Sequence, residues 1–153
     1  MDKVKDLIRR KPRIFVYVTL VYLLIVGALK WFFAPSLDAI WFMLGGAIGV
    51  YLLEAAEVFF ALSPSPFRSI VFFALFAVVA FFVVTSSSGT IGSGLVLSLY
   101  LQLLLWQVGQ WRVNGNLDSW FTMVAGPVGI HTQRSILWIA VILFLIETYI
   151  FIR

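Results

Sequence analysis

The sequence predicts an all-α fold: a polytopic helical bundle integral to a membrane, with about five spans and its N-terminus inside. Three observations carry that prediction. First, 62% of the 153 residues are hydrophobic and only 12% are charged, whereas soluble domains have roughly 45–50% apolar and about 25% charged residues. A soluble fold of this length has too much surface for its volume to hide so many apolar side chains. Second, the apolar residues fall into long runs separated by brief polar or proline-containing breaks. Third, the basic residues crowd at one end of the chain, where Lys3, Lys5, Arg9, Arg10, Lys11 and Arg13 all precede the first run.

Residues 1–13 read as a basic cytoplasmic segment that attracts anionic headgroups, and residues 14–153 as one transmembrane bundle. The run 14–34 is longer than a signal-peptide core, and no small-residue cleavage pattern follows it, so it reads as a retained span. Its length is about 31 Å, against a hydrocarbon core of ~30 Å. Pro35-Ser36 separates it from a second span over 39–62. Ser63-Pro64-Ser65-Pro66 then introduces a third over 67–88. Phe67, Phe72, Phe73, Phe76, Phe81 and Phe82 make this third segment apolar on every side, which predicts the most lipid-exposed helix. A fourth span covers 91–111 and a fifth covers 136–152. Connections this short predict that sequence neighbours pack antiparallel.

The longest connection, 113–135, has its own pattern. Asn114-Gly115 marks a turn, and Leu117, Trp120, Phe121 and Val124 fall at i, i+3, i+4 and i+7. That spacing predicts a short interfacial helix over about 117–125, ended by Gly126-Pro127. A re-entrant hairpin through 126–129 is the alternative. With the N-terminus inside, nine basic residues (the six above with Arg68, Arg112 and Arg134) fall on the inner side, and Lys30 and Arg153 on the outer. This bias predicts a multi-pass protein of the cell membrane with a cytoplasmic N-terminus and an external C-terminus.

Glu54 and Glu57 are the most informative polar residues. Three residues apart on the second span, they share a face, and they fall about 5 and 10 Å from its middle at ~1.5 Å per residue. A charge at the centre of a span costs roughly 2.5–3.5 kcal/mol, while each large aliphatic residue returns only about 0.3–0.6. The two carboxylates are therefore expected to face the bundle interior, with at least one protonated or paired. Glu57 is expected to reach Arg68 or Arg112. Ser98, Gln102 and Gln107 on the fourth span supply further polar groups, and Gln102 matches Glu54 in depth. Gly45 and Gly49 form a GxxxG pattern, read as intramolecular helix packing ahead of dimerisation. Lys30 and Glu147, at similar depths in the first and fifth spans, are expected to form an ion pair.

Several classes of chemistry are excluded or disfavoured. There is no cysteine, so thiolate metal sites, disulfides and cysteine nucleophiles are absent. His131 is the single histidine, and no metal site is built around one imidazole. Gly92-Ser93-Gly94 resembles the glycine-flanked serine of intramembrane serine proteases, but the predicted topology places Ser93 and His131 on opposite sides of the membrane. The segment 89–94 lacks the Gly-Lys-Ser/Thr ending of a phosphate loop. No cofactor and no catalytic residue are expected. The net charge of +4 sits beside the first span, so the bilayer is the expected partner rather than nucleic acid. A further copy of the chain or another membrane protein is the expected macromolecular partner. The costly carboxylate at the centre of the second span points to a small transport or ion-permeation protein with an intramembrane carboxylate site. A non-catalytic membrane subunit or assembly factor is the alternative, and a lipid-acting enzyme is the least favoured reading.

Overall fold

The computed structural model describes Lys5, Arg9 and residues 11–86 and 89–153. Lys3 and Arg10 of the basic cluster, and Ser87 and Ser88 at the expected end of the third span, lie outside the described residues. The described chain is helical throughout, with no strand: α1 (Arg13–Phe33), α2 (Asp38–Phe59), α3 (Ile70–Thr85), α4 (Thr90–Asn114) and α5 (Ile130–Ile152), plus one 3-10 turn at Asp118–Phe121. Four of them, α1, α2, α4 and α5, are long and apolar enough to cross a membrane, as a multi-pass membrane protein requires. The 16 residues of α3 span about 24 Å at ~1.5 Å per residue, short of a ~30 Å core.

Helix α4 is the centre of the bundle and touches all four others. Of its apolar window 61% is buried, against 22% for α1, so α1 is the outermost of the long helices. The most extensive contact joins α2 to α4, two helices that run parallel. Glycines make it possible. A Cβ at Gly45 would fall on the carbonyl of Ile91, one at Gly94 on the carbonyl of Phe42, and one at Gly49 on the hydroxyl of Ser98. The two backbones therefore meet without intervening side chains, and the GxxxG pattern is spent within the chain. On its other side α2 meets α1 antiparallel, Gly46 against Leu23 and Gly27 against Met43. Around α4 an aromatic column fills the interior: Phe73 and Phe144 pack on Tyr100 at 5.1 and 5.3 Å between centroids, and Tyr22 packs on Phe144 at 5.3 Å.

Helix ends differ from the sequence expectation for local reasons. Helix α2 ends at Phe59 rather than 62, because Ala61 adopts a left-handed φ of 52°. Helix α3 starts at Ile70 rather than 67, where the Ser69 hydroxyl accepts from the Phe72 N–H at 3.2 Å as an N-cap. Helix α4 continues to Asn114 and is stopped by Gly115, in the left-handed region at φ 71°. Helix α5 begins at Ile130, six residues before the expected 136. Its first turns are polar but contain no breaker after Gly129, and apolarity alone could not locate that start.

The expected interfacial helix over 117–125 is a single 3-10 turn, Asp118–Phe121. Leu117, Trp120 and Phe121 are buried and belong to the main core; they pack on the bundle instead of presenting an apolar stripe to lipid. Gln133 of α5 holds the segment in place. Its side-chain oxygen accepts from the Leu117 N–H at 2.7 Å, and its amide donates to Asp118 at 2.7 Å and to the Val128 carbonyl at 3.0 Å. Beyond the turn, Met123 and Val124 are exposed, so the i+7 member of the pattern contributes nothing to the packing.

Candidate functional site

Lys11 lies just ahead of α1, whose N-cap is Pro12. The antiparallel register of α1 and α2 places residue 11 near the end of α2, and the lysine stem reaches back over a turn into the bundle. There the ammonium lies 3.0 Å from both carboxylate oxygens of Glu54 and also donates to the Val50 carbonyl. Both residues are buried, at 3% and 2% exposure. The Lys11 of the expected headgroup-facing cluster is thus an interior residue. Burial holds its pKa below the ordinary lysine value of 10.5, with the Glu54 carboxylate opposing that shift and the Arg68 charge adding to it.

One turn further along α2, Glu57 accepts from the Ser65 hydroxyl at 2.5 Å and from Arg68 at 3.3 Å. The Arg68 guanidinium in turn lies 4.0 Å over the ring of Trp106, a cation–π contact that pins it between α2 and α4. The Ser-Pro-Ser-Pro linker is therefore part of the site. Beside it a cleft of about 570 Å³, bounded by Ser65, Arg68, Gln110 and Trp120, opens at this end of the bundle.

Two glutamines of α4 are buried. Gln107 lies seven residues from Tyr100 and so on the helix face that packs against α3 and α5; neither its nitrogen nor its oxygen has a partner. Gln102, fully buried, donates to the Thr19 hydroxyl of α1 while its own oxygen is left unpartnered. Thr19 is held by the Phe15 carbonyl at 2.8 Å. Ser98, also fully buried, bonds its own helix at Leu95 O, 3.0 Å away, where it meets Gly49. At the opposite end of the bundle a smaller, polar cleft of about 270 Å³ is lined by Lys30, Asp38, Thr90 and buried Ser93 among others. Glu54, Gln102, Thr19 and Ser98 thus line a short polar file between α1, α2 and α4, with a cleft at each end of the bundle and a closed neck at the glycine contact.

The structure gathers Glu54, Glu57, Ser98 and Gln102 in this interior, with Gln107 buried on the other face of α4, and neither the depth match of Glu54 with Gln102 nor the expected Lys30–Glu147 pair becomes a bond. Glu54 bonds Lys11 rather than Gln102, because Gln102 faces α1 at Thr19. Lys30 and Glu147 are not joined: Lys30 donates to the Phe151 carbonyl at 2.9 Å and lies 5.1 Å over the Phe151 ring. Glu147 is buried with one carboxylate oxygen unpartnered. The polar link between α1 and α5 is instead Tyr22 to Thr148, 2.9 Å between hydroxyls. His131 is exposed at the start of α5 and Ser93 is buried near the start of α4, at opposite ends of the bundle.

Sequence reasoning missed Lys11, Thr19 and Ser65. Thr19 carried a signal, a lone hydroxyl four residues after Phe15 in an apolar run. Lys11 carried a weaker one, as a cation close enough to the first helix to reach a buried acid. Among the described residues no cluster of three or more histidine or acidic side chains is placed to hold a metal. No protein-family model, curated protein or solved structure matches the chain.

Proposed function

We propose that this chain is a small membrane transport protein that passes protons or a small cation along the polar file between α1, α2 and α4, with the Lys11–Glu54 pair as its gate. The observation that carries this reading is the buried pair itself, set in the same α1–α2–α4 interior as Gln102, whose amide oxygen has no partner. A buried ion pair is a poor stabilising device, since apolar residues of similar volume often serve as well or better. A buried amide oxygen without a partner costs about 1–3 kcal/mol. Together they favour a role in which these groups exchange partners with a transported species, the usual meaning of ionisable residues inside a membrane bundle.

In this reading the conformation described above is the closed one. The glycine contact of α2 with α4 seals the neck, and Lys11 occupies the carboxylate that a cation would otherwise use. Withdrawal of the Lys11 side chain from Glu54 frees the carboxylate and links it to the cleft beside Glu57. Lys11, Arg13, Arg68, Arg112 and Arg134 lie at one end of the bundle and Lys30 and Arg153 at the other, which favours a cytoplasmic N-terminus and an external C-terminus in the cell membrane.

The test is ion-selective flux in liposomes. Wild type is expected to carry a proton or monovalent-cation flux that Glu54→Gln abolishes. Lys11→Met, with its gate removed, is expected to leak at rest. Flux no greater than in protein-free liposomes, from a demonstrably folded wild type, would overturn the proposal.

A further inference from the structure

On the far side of α4 from the polar file, α3 and α5 diverge and leave a groove of about 630 Å³. Its walls are apolar with a single exception: Phe73, Ala74, Ala77, Ile136 and Ala140 line it, and Glu147 closes one end. Alanines on both walls give it depth. Glu147 is 2% exposed, and one of its carboxylate oxygens has no hydrogen-bond partner. The two tyrosine hydroxyls of this part of the bundle are committed elsewhere, Tyr22 with Thr148 and Tyr100 to the Ala140 carbonyl at 3.0 Å. Lys30, the cation expected to satisfy the acid, is bound at Phe151. An otherwise apolar groove thus ends in a buried, unfilled acceptor.

The shape restricts what fits. From Ile136 to Glu147 the groove follows eleven residues of α5, about 16 Å at ~1.5 Å per residue. That length and a volume of about 630 Å³ accommodate an extended hydrocarbon chain. The volume is in the range of small-molecule sites, ~300–1,000 Å³. A phosphate or carboxylate head would meet a carboxylate with no basic group in the lining, so the complementary head is a hydrogen-bond donor without negative charge.

We infer that the α3–α5 groove binds a single-chain lipid with a hydroxyl head, the hydroxyl donating to Glu147 and the chain lying along the groove toward Ile136. The site is separate from the polar file and does not depend on its conducting anything.

The experiment uses the full chain in phosphatidylcholine nanodiscs and, as probe, 1-hexadecanol carrying a mid-chain diazirine. Photolysis is expected to label peptides from Ile70–Thr85 and Ile130–Ile152. Unlabelled 1-hexadecanol is expected to compete, and its methyl ether, which cannot donate, to compete roughly three- to tenfold less well. Glu147→Leu removes that preference. Ala74→Phe, which fills the groove from an exposed position, lowers labelling whatever the head. Equal competition by the ether overturns the inference, as does labelling outside α3 and α5, or crosslinking of two copies along α3 in place of lipid capture. Should Glu147→Leu fail to fold, the alcohol-to-ether ratio in wild type and the Ala74→Phe result decide the matter.

Discussion

Removing Lys11 while leaving Glu54 in place should be among the most damaging single changes in the protein, and removing both should be among the mildest. At 3.0 Å and an effective dielectric constant of ~20, the attraction between the two charges is about 5.5 kcal/mol. Desolvating each ion costs several kcal/mol, so the intact pair contributes little net stability. Lys11→Met upsets that balance from one side. It leaves a carboxylate at 2% exposure with its cation gone, and the expected loss is about 3–5 kcal/mol. Glu54→Leu strands the ammonium in the same way, although Lys11 precedes α1 and is free to withdraw, so its cost should be smaller, about 2–3 kcal/mol. The double variant Lys11→Met with Glu54→Leu should return to within about 1 kcal/mol of wild type or exceed it. Denaturant unfolding in mixed micelles, followed by tryptophan fluorescence, measures all four corners of the cycle. A single Lys11→Met costing less than about 1 kcal/mol, or a double variant as poor as the worse single, would refute the buried pair.

Other consequences follow from the same geometry. Gly45→Leu should prevent folding, since any side chain there meets the Ile91 carbonyl; Gly109→Ala, whose Cβ would make only an ordinary 3.5 Å contact with Phe15, should fold normally, and monodispersity on size exclusion separates the two. Gln133→Leu should cost about 1–3 kcal/mol by orphaning the Leu117 N–H, and should expose residues 115–129 to limited proteolysis while the helices stay protected. Lys30→Glu should not be rescued by Glu147→Lys, because Lys30 is bound at Phe151 and Glu147 is not its partner; restored thermal stability in the double variant would show otherwise. The lowered pKa of Lys11 means that, between that pKa and 10.5, the unfolded chain holds a proton the folded chain has released. Stability should therefore rise with pH across that alkaline window, and Lys11→Met should flatten the slope.

The helical architecture was legible because lipid solvation writes itself into composition: runs of twenty or so apolar residues have few other uses. The GxxxG contact and the pairing of Glu57 with Arg68 were legible too, since spacing along one helix and nearness across a short linker constrain both. What the sequence hid depended on where side chains turn. Lys11 is one of six basic residues among the first thirteen, a cluster that reads as a solvated arm, and only the register of α1 on α2 shows that its stem reaches Glu54. Lys30 and Glu147 match in depth, but depth says nothing of rotation about the helix axis, and Lys30 faces the end of α5 at Phe151. The 117–125 stripe was recognised as apolar on one face. Its partner was misjudged, because a bundle core and a bilayer present the same chemistry to Leu117, Trp120 and Phe121. Gln133 was overlooked since it lay in a stretch read as loop, where a glutamine carries no signal.

Conduction through the polar file is best tested with Gln102→Leu in a liposome flux assay run beside its unfolding curve. Gln102 is fully buried, with one bond to Thr19 and an unpartnered oxygen, so losing the bond and relieving the orphaned oxygen offset each other and the leucine should stay within about 1 kcal/mol of wild type. If the file conducts, this variant folds as well as wild type and its flux is lost or severely reduced. A stable variant that conducts as well as wild type would contradict conduction and remove Gln102 from any path.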